Sequence, residues 1–281
     1  MPHPARADWQ AHDVATPIGP RVLLVQDSPT VARATARLLS EGELEARVTV
    51  ADSAAAARAE LTDGDHALAT DLLVIDLALP GEDALELLAE VRADPVSEAV
   101  PVVVLSGSSD QAVVQRSYQL GANCFIRKPN RVVDLVPATR AIERFWQRHA
   151  DPQGGAEPMF QLPLTPTASA VRDARRSVRD LFRAWGLDSL GEIAELCTSE
   201  LATNAVLHAR SPVLLIVVAL RDSVRVEVED EAPGQLAPGT LVHDAETGRG
   251  LALVDAMAHA WGVDQHPAGK TVWFELRRPT E

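Results

Sequence analysis

Four side chains that could bind or carry a phosphoryl group each follow a short apolar run: Asp27, Asp76, Ser106 and Lys128. Continuous apolar runs of this length are typical of buried parallel strands, whose carboxyl ends meet at one edge of a sheet. Two carboxylates at that edge, Asp27 and Asp76, suit Mg2+, and Asp76 could attack phosphorus. The hydroxyl of Ser106 and the ammonium of Lys128 could then bind the phosphate oxygens. Each aspartate alone could be an ordinary loop or cap residue, but the joint placement predicts a phosphate-accepting site.

A second group of polar residues has the spacing of one helix face. Glu200, Asn204 and His208 lie four residues apart, so a helix would stack them on one side. An Asn amide oxygen is a suitable ligand for Mg2+ that carries nucleotide phosphates. A Glu one turn earlier could orient or deprotonate a hydroxyl or a water. A solvated helix face is the ordinary explanation of such a stripe, and the residues downstream decide between the two.

Those downstream residues complete a predicted ATP site. Asp230 follows a predicted strand and could accept a hydrogen bond from an adenine amino group. Gly248 and Gly250 precede a predicted helix, whose N-terminus could hold phosphate. A Gly-x-Gly pair alone is a weak indication. Combined with the helical stripe, these residues predict binding of Mg2+ and ATP.

Composition limits the classes of protein and partner. The chain has 281 residues, enough for two domains with their own cores. Its formal net charge of -14 argues against a nucleic-acid partner, because phosphate backbones need a basic surface. No apolar run is long enough to cross a bilayer, and Cys124 and Cys197 are typical of buried thiols in a reducing compartment. We therefore expect a cytoplasmic protein without a membrane or nucleic-acid partner.

The order of elements predicts two domains of different architecture. In residues 20–150, five apolar strands alternate with five helices, which predicts an α/β domain with a doubly wound, five-stranded parallel sheet of the flavodoxin-like type. Residues 1–19 are expected to form a disordered tail, and residues 151–165, rich in Pro and Gly, a linker. Residues 158–278 are expected to form an α+β sandwich, with residues 159–164 as a candidate edge strand.

Residues 21–149 resemble a response-regulator receiver domain, and the segments ANCFIRKP and IERFWQ are most similar to the subfamily that partners bacterial phytochromes. The resemblance covers the whole segment. It implies that an upstream histidine kinase phosphorylates Asp76 and that Asp27 binds Mg2+. It also implies three further roles: a switch hydroxyl at Ser106, a phosphate-sensing lysine at Lys128 and an aromatic switch at Phe125.

One position departs from the receiver pattern. The family usually carries two adjacent acids after the first strand, whereas here the first of them is Gln26. The expected direct metal ligand, Asp27, is retained. We therefore expect weaker binding of Mg2+ rather than loss of the site.

The second half resembles the GHKL (Bergerat) ATPase family, in the branch of the anti-sigma-factor serine kinases. The matching segments are SELATNAVLHA, VEVEDEAPG, TGRGLALVDAMAHAWGV and GKTVWFEL, which extend from about residue 160 to residue 277. The resemblance implies that Asn204 binds Mg2+, that Glu200 is a general base and that Asp230 binds adenine. It implies further nucleotide contacts at Gly234, Gly248, Arg249, Gly250 and Thr271, the last of these near the adenine.

Three features of this half bear on the nucleotide. Residues 232–247 have the length of a lid, and a helix over residues 251–260 and a last strand over residues 271–276 are expected to follow. Ala232 stands where the family usually has glycine, and its methyl group could reshape the pocket. Of the 26 lysines and arginines only Lys128 and Lys270 are lysines, and both lie in the motifs above, which supports function at the first and, with less weight, at the second.

Together these features predict a two-component response regulator whose Asp76 phosphorylation controls an ATP-dependent output. The favoured action is phosphorylation of a serine or threonine on an anti-sigma-factor antagonist, combined with sequestration of a sigma factor. The main alternative is a non-catalytic ATP-binding interaction module under receiver control. An atypical histidine-kinase-like protein is a third alternative. It is disfavoured because no helical hairpin with a phosphorylatable His fits between residues 150 and 168.

We also expect a homodimer. The last receiver helix carries Phe145 and Trp146, which as neighbours point about 100° apart, so both cannot lie on the same buried face. One of them is predicted to cover a partner copy. Related receivers and related serine kinases commonly form homodimers. The alternative is that Trp146 packs against the linker of its own chain.

Overall fold

A computed structural model describes the protein over residues 19–62, 70–79, 84–108, 110–128, 135–150, 157–167, 169–208, 213–231, 248–266 and 269–279. The predicted tail up to residue 18, the linker residues 151–156 and the predicted lid, including Ala232 and Gly234, lie outside these ranges.

The elements are numbered in chain order. The strands are β1 (Arg21–Val25), β2 (Arg47–Ala51), β3 (Leu72–Asp76), β4 (Val102–Ser106), β5 (Cys124–Arg127), β6 (Met159–Leu164), β7 (Val213–Ala219), β8 (Ser223–Asp230), β9 (Ala260–His266) and β10 (Gly269–Arg277). The helices are α1 (Pro29–Glu41), α2 (Ala54–Thr62), α3 (Ala84–Ala93), α4 (Gln111–Gln119), α5 (Leu135–Ala150), α6 (Ala170–Ala184), α7 (Asp188–His208) and α8 (Gly248–Met257). Among these helices, none has the length and apolar character that a bilayer span requires.

Within the described residues, the strands of both halves form one ten-stranded sheet in the order β2-β1-β3-β4-β5-β6-β7-β8-β10-β9. Strands β1 to β5 are parallel, as predicted for the first half. From β6 to β9 the pairing is antiparallel. The predicted α/β class and the mixed sheet of the second half are confirmed, but the two sheets are continuous rather than separate.

The joint between the two halves is the pairing of β5 with β6. These strands run parallel, with Cys124 opposite Met159 and Phe125 opposite Phe160. On its other side β6 pairs antiparallel with β7. The strand predicted over residues 159–164 is thus present as the outermost strand of the second half, but it is paired on both sides and is not a free edge. Without β6 the backbone groups of β5 would lie open at the end of the receiver sheet, and β6 satisfies them.

Side chains that alternate along the strands divide between two faces of the sheet. One face carries a buried apolar core that runs without a break from Leu23 in β1 to Leu276 in β10 and includes side chains of α2, α3, α4, α6, α7 and α8. The second core lies on the opposite face, beneath α1 and α5. The first face therefore ties the two halves together through one continuous hydrophobic layer.

Helix α5 lies across the joint on the second face. Phe145 is 2 % exposed, and its neighbour Trp146 is half-buried against the same core. That core includes Met159 of β6 and Ile216 and Val218 of β7. Both aromatic side chains thus pack on a core of their own chain, while the linker residues 151–156 lie outside the described residues. A dimer through this part of α5 has no freely exposed aromatic to use.

Candidate functional site

The phosphate-accepting residue predicted from the sequence lies at the end of β3. Asp76 is 1 % exposed, and Lys128 Nζ lies 2.8 Å from its Oδ1 and 2.6 Å from its Oδ2. The backbone N–H of Ala78 donates to Oδ1 at 2.9 Å. An ammonium and a backbone donor therefore compensate this buried carboxylate. The structure brings Asp76 and Lys128 together as expected.

Gln26, which stands in place of the usual first acid, also contacts Asp76. It is 4 % exposed, and its Nε2 donates to Asp76 Oδ2. Its Oε1 accepts from the backbone N–H of Ser28 at 3.0 Å, which fixes the orientation of the amide. The residue at the family's acidic position is thus a neutral donor to the carboxylate that is predicted to accept phosphate.

The donor set nevertheless fits a divalent cation. Asp27, half-buried directly after Gln26, and Asp76 would supply carboxylate oxygens, and Mg2+ needs only one or two carboxylates besides water. In the described part of the chain, no three His, Cys, Asp or Glu side chains come together in a way that could hold a metal. Gln26 contributes an amide at the position where the family usually has a carboxylate.

The remaining receiver residues link this site to the joint. Ser106 is 4 % exposed at the end of β4, and its backbone C=O accepts from the N–H of Lys128 at 2.8 Å. Phe125, fully buried on β5, stacks on Phe160 of β6 with ring centroids 6.1 Å apart. The predicted aromatic switch therefore contacts the second half directly.

A polar contact accompanies that stack. Arg127, the last residue of β5, donates from Nη1 to Ser177 Oγ of α6 at 2.8 Å. Burial lowers the pKa of its guanidinium, and Asp173 nearby opposes that shift. The residue just before Lys128 is therefore bound to the first helix of the second half.

In the second half, α7 carries the predicted magnesium and base residues. Glu200 and Asn204 are half-buried on this helix. A Cβ added at Gly250, in the first turn of α8, would lie 2.5 Å from Glu200 Oε2. Glycine at this position thus lets α8 approach Glu200 closely, as a phosphate-holding helix start would require. The side chains of His208 and Arg249, and the burial of Gly248, lie outside what the structure describes.

The predicted adenine residue has an unexpected partner. Asp230 is 1 % exposed, and Lys270 Nζ lies 3.2 Å from its Oδ2. The register pairs Lys270 with Asp230, and Thr271 with Glu229. Because neighbours in a strand point to opposite faces, Thr271 lies on the face away from Asp230, where its Oγ1 is 3.4 Å from His266 Nε2. The structure thus brings Lys270, and not Thr271, to the predicted adenine position.

The other face of strand β8 carries charged residues that the sequence analysis did not single out. Val224, Val226 and Val228 of this strand belong to the first core, on the same face as Asp230. The alternate residues point toward α5, where three arginines meet three glutamates in order: Arg148 with Glu227 at 2.8 Å, Arg144 with Glu229 at 2.7 Å, and Arg140 with Glu231. We call these three pairs the ion-pair ladder.

The ladder follows from two sequence spacings that match only in three dimensions. The arginines repeat every four residues along a helix, and the glutamates every two residues along a strand. Arg144 and Glu229 form an ion pair without a hydrogen bond, because no donor among the described residues has hydrogen-bond geometry to the buried Glu229 Oε2. Beside the ladder is a cavity of about 520 Å³ lined by α5 and the ends of β7 and β8. The sequence itself contains both spacings, with arginines at positions 140, 144 and 148 and glutamates at positions 227, 229 and 231.

Comparisons with known proteins agree with both halves. Residues 22–140 match the response regulator receiver domain family, and residues 164–276 match the histidine kinase-like ATPase domain family. Response regulator Rcp1 of Synechocystis sp. is 32 % identical over 128 residues, covering 44 % of this chain and 87 % of that protein. Transcriptional regulatory protein MalR of Bacillus subtilis is 36 % identical over 108 residues, or 38 % of this chain and 43 % of that protein.

Solved structures match the receiver half. The Mn2+-bound form of response regulator Rcp1 is 32 % identical with a TM-score of 0.41, covering 45 % of this chain and 94 % of that one. The phosphorylated cyanobacterial phytochrome response regulator RcpA is 33 % identical with a TM-score of 0.42, covering 46 % of this chain and 94 % of that one. The chain therefore belongs to the response-regulator family, with a receiver domain joined to a histidine kinase-like ATPase domain.

Proposed function

We propose that phosphorylation of Asp76 by an upstream histidine kinase controls what the ATP-binding half of this protein does to a protein partner. The observation that carries this proposal is the ion-pair ladder. Strand β8 bears Asp230 on one face and is held on the other by α5, the last helix of the receiver. A movement of α5 would therefore act on the strand that carries the predicted adenine contact.

At the receiver site, Asp27 and Asp76 would bind Mg2+. An oxygen of Asp76 would form a bond to phosphorus while the bond from phosphorus to the donor's histidine nitrogen breaks. Lys128 already contacts Asp76, and Ser106 lies at the end of the adjacent strand, so both could bind the phosphate oxygens. The Mn2+-bound Rcp1 and the phosphorylated RcpA support a divalent cation and a phosphorylated state in related receivers.

Two connections would carry the receiver state to the second half. Phe125 stacks on Phe160 at the joint, so a change in the packing of Phe125 would displace β6. Helix α5 begins at Leu135, a short segment after Lys128, and its ladder ends at Glu231, next to Asp230. A change at Lys128 could therefore reach the base end of the nucleotide site through α5.

In the second half, Asn204 would hold Mg2+ with the nucleotide phosphates, Glu200 would act as general base and Asp230 would bind adenine. The close approach of Gly250 to Glu200 and the burial of Asp230 support this assignment. Contacts to the phosphates are proposed for Gly248, Arg249 and Gly250, and a further nucleotide contact for Gly234. We propose as the output phosphorylation of a serine or threonine on an anti-sigma-factor antagonist, together with sequestration of a sigma factor.

The second candidate is a non-catalytic module that binds ATP as a conformational ligand. Its basis is Ala232, which stands where the family usually has glycine and whose methyl group could reshape the nucleotide pocket. Homodimerisation remains part of the proposal, through a surface other than the packed aromatics of α5. Two buried thiols, Cys124 and Cys197, support a reducing compartment such as the cytoplasm.

Calorimetry of Mg-ATP binding, with and without beryllofluoride as phosphoryl mimic, tests the coupling. We expect the affinity for ATP to change several-fold when the mimic is added, and the change to vanish in Asp76→Asn, which lacks the accepting carboxylate. An affinity that is the same with and without the mimic would refute receiver control. Incubation with radiolabelled ATP and candidate antagonist proteins then separates the two outputs, since only a kinase transfers label.

A further inference from the structure

The base end of the nucleotide site holds a buried ion pair that the family resemblance did not predict. The side chain of Lys270 is 10 % exposed and that of Asp230 is 1 % exposed, with Nζ and Oδ2 3.2 Å apart. The two residues lie directly opposite each other on β10 and β8. Their side chains thus share the face of the sheet that carries α7, with Glu200 and Asn204.

A buried ammonium is costly unless it is paired, and a lysine kept there needs a reason. This chain uses arginine almost throughout: 26 residues are lysine or arginine, and Lys270 is one of only two lysines. The other, Lys128, also contacts a buried aspartate, at the predicted phosphate site. The ammonium of lysine is compact and donates single hydrogen bonds, whereas the planar guanidinium of arginine would need more room.

The pair offers two complementary groups side by side. The carboxylate of Asp230 accepts hydrogen bonds, and the ammonium of Lys270 donates them. The edge of adenine has the matching order, with an amino donor at N6 next to the acceptor N1. Guanine has the reverse order, with the acceptor O6 next to the donor N1–H.

Resting on the proposed binding of ATP at Asp230, we propose that Lys270 is a second base-reading residue, whose Nζ donates to adenine N1 while Asp230 accepts from the N6 amine. The strand register supports this, because it places Lys270 rather than Thr271 on the face of Asp230. Lys270 thereby selects adenine over guanine, since guanine would turn its N1–H toward the ammonium and its O6 toward the carboxylate.

The proposal can be tested on the unaltered full chain by calorimetry. The ligands are Mg-ATP, Mg-GTP and an ATP analogue in which adenine N1 is replaced by C–H. A hydrogen bond to a charged group corresponds to a loss of about tenfold or more in affinity when its partner is removed. We expect such a loss for the analogue, and a loss at least as large for GTP. Equal affinities for ATP and the analogue would overturn the role of Lys270.

The variant Lys270→Met tests whether Lys270 is the residue that donates to adenine N1. We expect this variant to bind ATP about tenfold or more weakly and to lose the distinction between ATP and the N1-deleted analogue. The matched control is Arg277→Met, which removes an exposed cation from the same strand. If Lys270→Met does not fold, the comparison of ATP with its N1-deleted analogue on the unaltered chain still decides whether adenine N1 is contacted.

Two other results are decisive. If Lys270→Met binds ATP more tightly than the unaltered chain, Lys270 obstructs the base and the proposal is wrong. If the unaltered chain binds ATP and discriminates at N1, but Lys270→Met still discriminates, another residue reads N1. No binding of ATP by the unaltered chain at millimolar concentration refutes the proposed nucleotide function itself, so this failure is distinguishable from the others.

Discussion

Phe125 of the receiver stacks on Phe160 of the first ATPase strand, with ring centroids 6.1 Å apart and ring planes 10° from parallel. Both rings are buried, at 0 % and 3 % exposure, and they belong to the core that runs through both halves. The contact lies on the one strand pair that joins the receiver sheet to the ATPase sheet within the described residues. It is therefore one of the packing contacts through which the two halves share a core.

Phe160→Ala should destabilise the joint. Removing a buried aromatic ring costs about 3 to 5 kcal/mol of unfolding free energy, because both transfer energy and packing are lost. We expect denaturant unfolding of the wild type in one transition and of Phe160→Ala in two, one for each half. Phe160→Leu is the control, since it keeps most of the apolar contact and should retain a single transition. Two transitions already present in the wild type would contradict the shared core.

Arg144→Met should uncouple the receiver from the ATP site. The central pair of the ladder is partly exposed, so the loss of stability should stay within about 1 kcal/mol. Beryllofluoride should still bind at Asp76, but it should no longer change the affinity for ATP. The matched control is Arg37→Met, which breaks an exposed pair with Glu41 on α1. A normal response to beryllofluoride in Arg144→Met would show that the ladder does not transmit the signal.

Gln26→Asp should tighten the binding of Mg2+ by roughly tenfold, since a carboxylate replaces an amide beside Asp76 and Asp27. Titration of Mg2+ by calorimetry measures the change. The control is Gln115→Asp, which adds the same charge on the exposed side of α4. Unchanged Mg2+ affinity in Gln26→Asp would mean that this position does not face the cation.

Glu143 of α5 predicts a pH dependence of stability. Burial, followed by the nearby Glu43, raises the pKa of its carboxyl above the ordinary value of 4.5. The folded state therefore binds this proton more tightly than the unfolded state, and stability from this group is present below pH 4.5 and lost as the pH rises through the folded pKa.

Glu143→Gln should remove this loss of folding stability at higher pH. We expect the variant to be more stable than the wild type at pH 7 and equally stable at pH 4, as measured by urea denaturation at both values. The exposed Glu192→Gln serves as control and should show no difference that depends on pH. A wild type that is the more stable protein at pH 7 would contradict the direction of this shift.

Much of the receiver site could be predicted from the sequence by local rules. Continuous apolar runs predicted β1, β3 and β4, and the residues that follow parallel strands must meet at one edge. The contact between Lys128 and Asp76 follows from this rule. The predicted helix over residues 251–260, in contrast, ends at Met257 in the structure, and β9 begins at Ala260. Its Gly262, Asp264 and Gln265 are poor strand formers, so β9 depends on its pairing with β10 rather than on its own pattern.

The sequence by itself determined the two halves, their order of elements and the chemistry at each strand end, because periodicity and residue type act locally. The tertiary structure alone decided which distant elements meet. A spacing of four on α5 and of two on β8 says which side chains share a face, but not that the two faces oppose each other. The partner of Asp230 depended on register, since a shift of one residue exchanges Thr271 for Lys270 on that face. The joint forms because the backbone groups at the edges of β5 and β6 need hydrogen-bond partners, and the two strands supply them to each other.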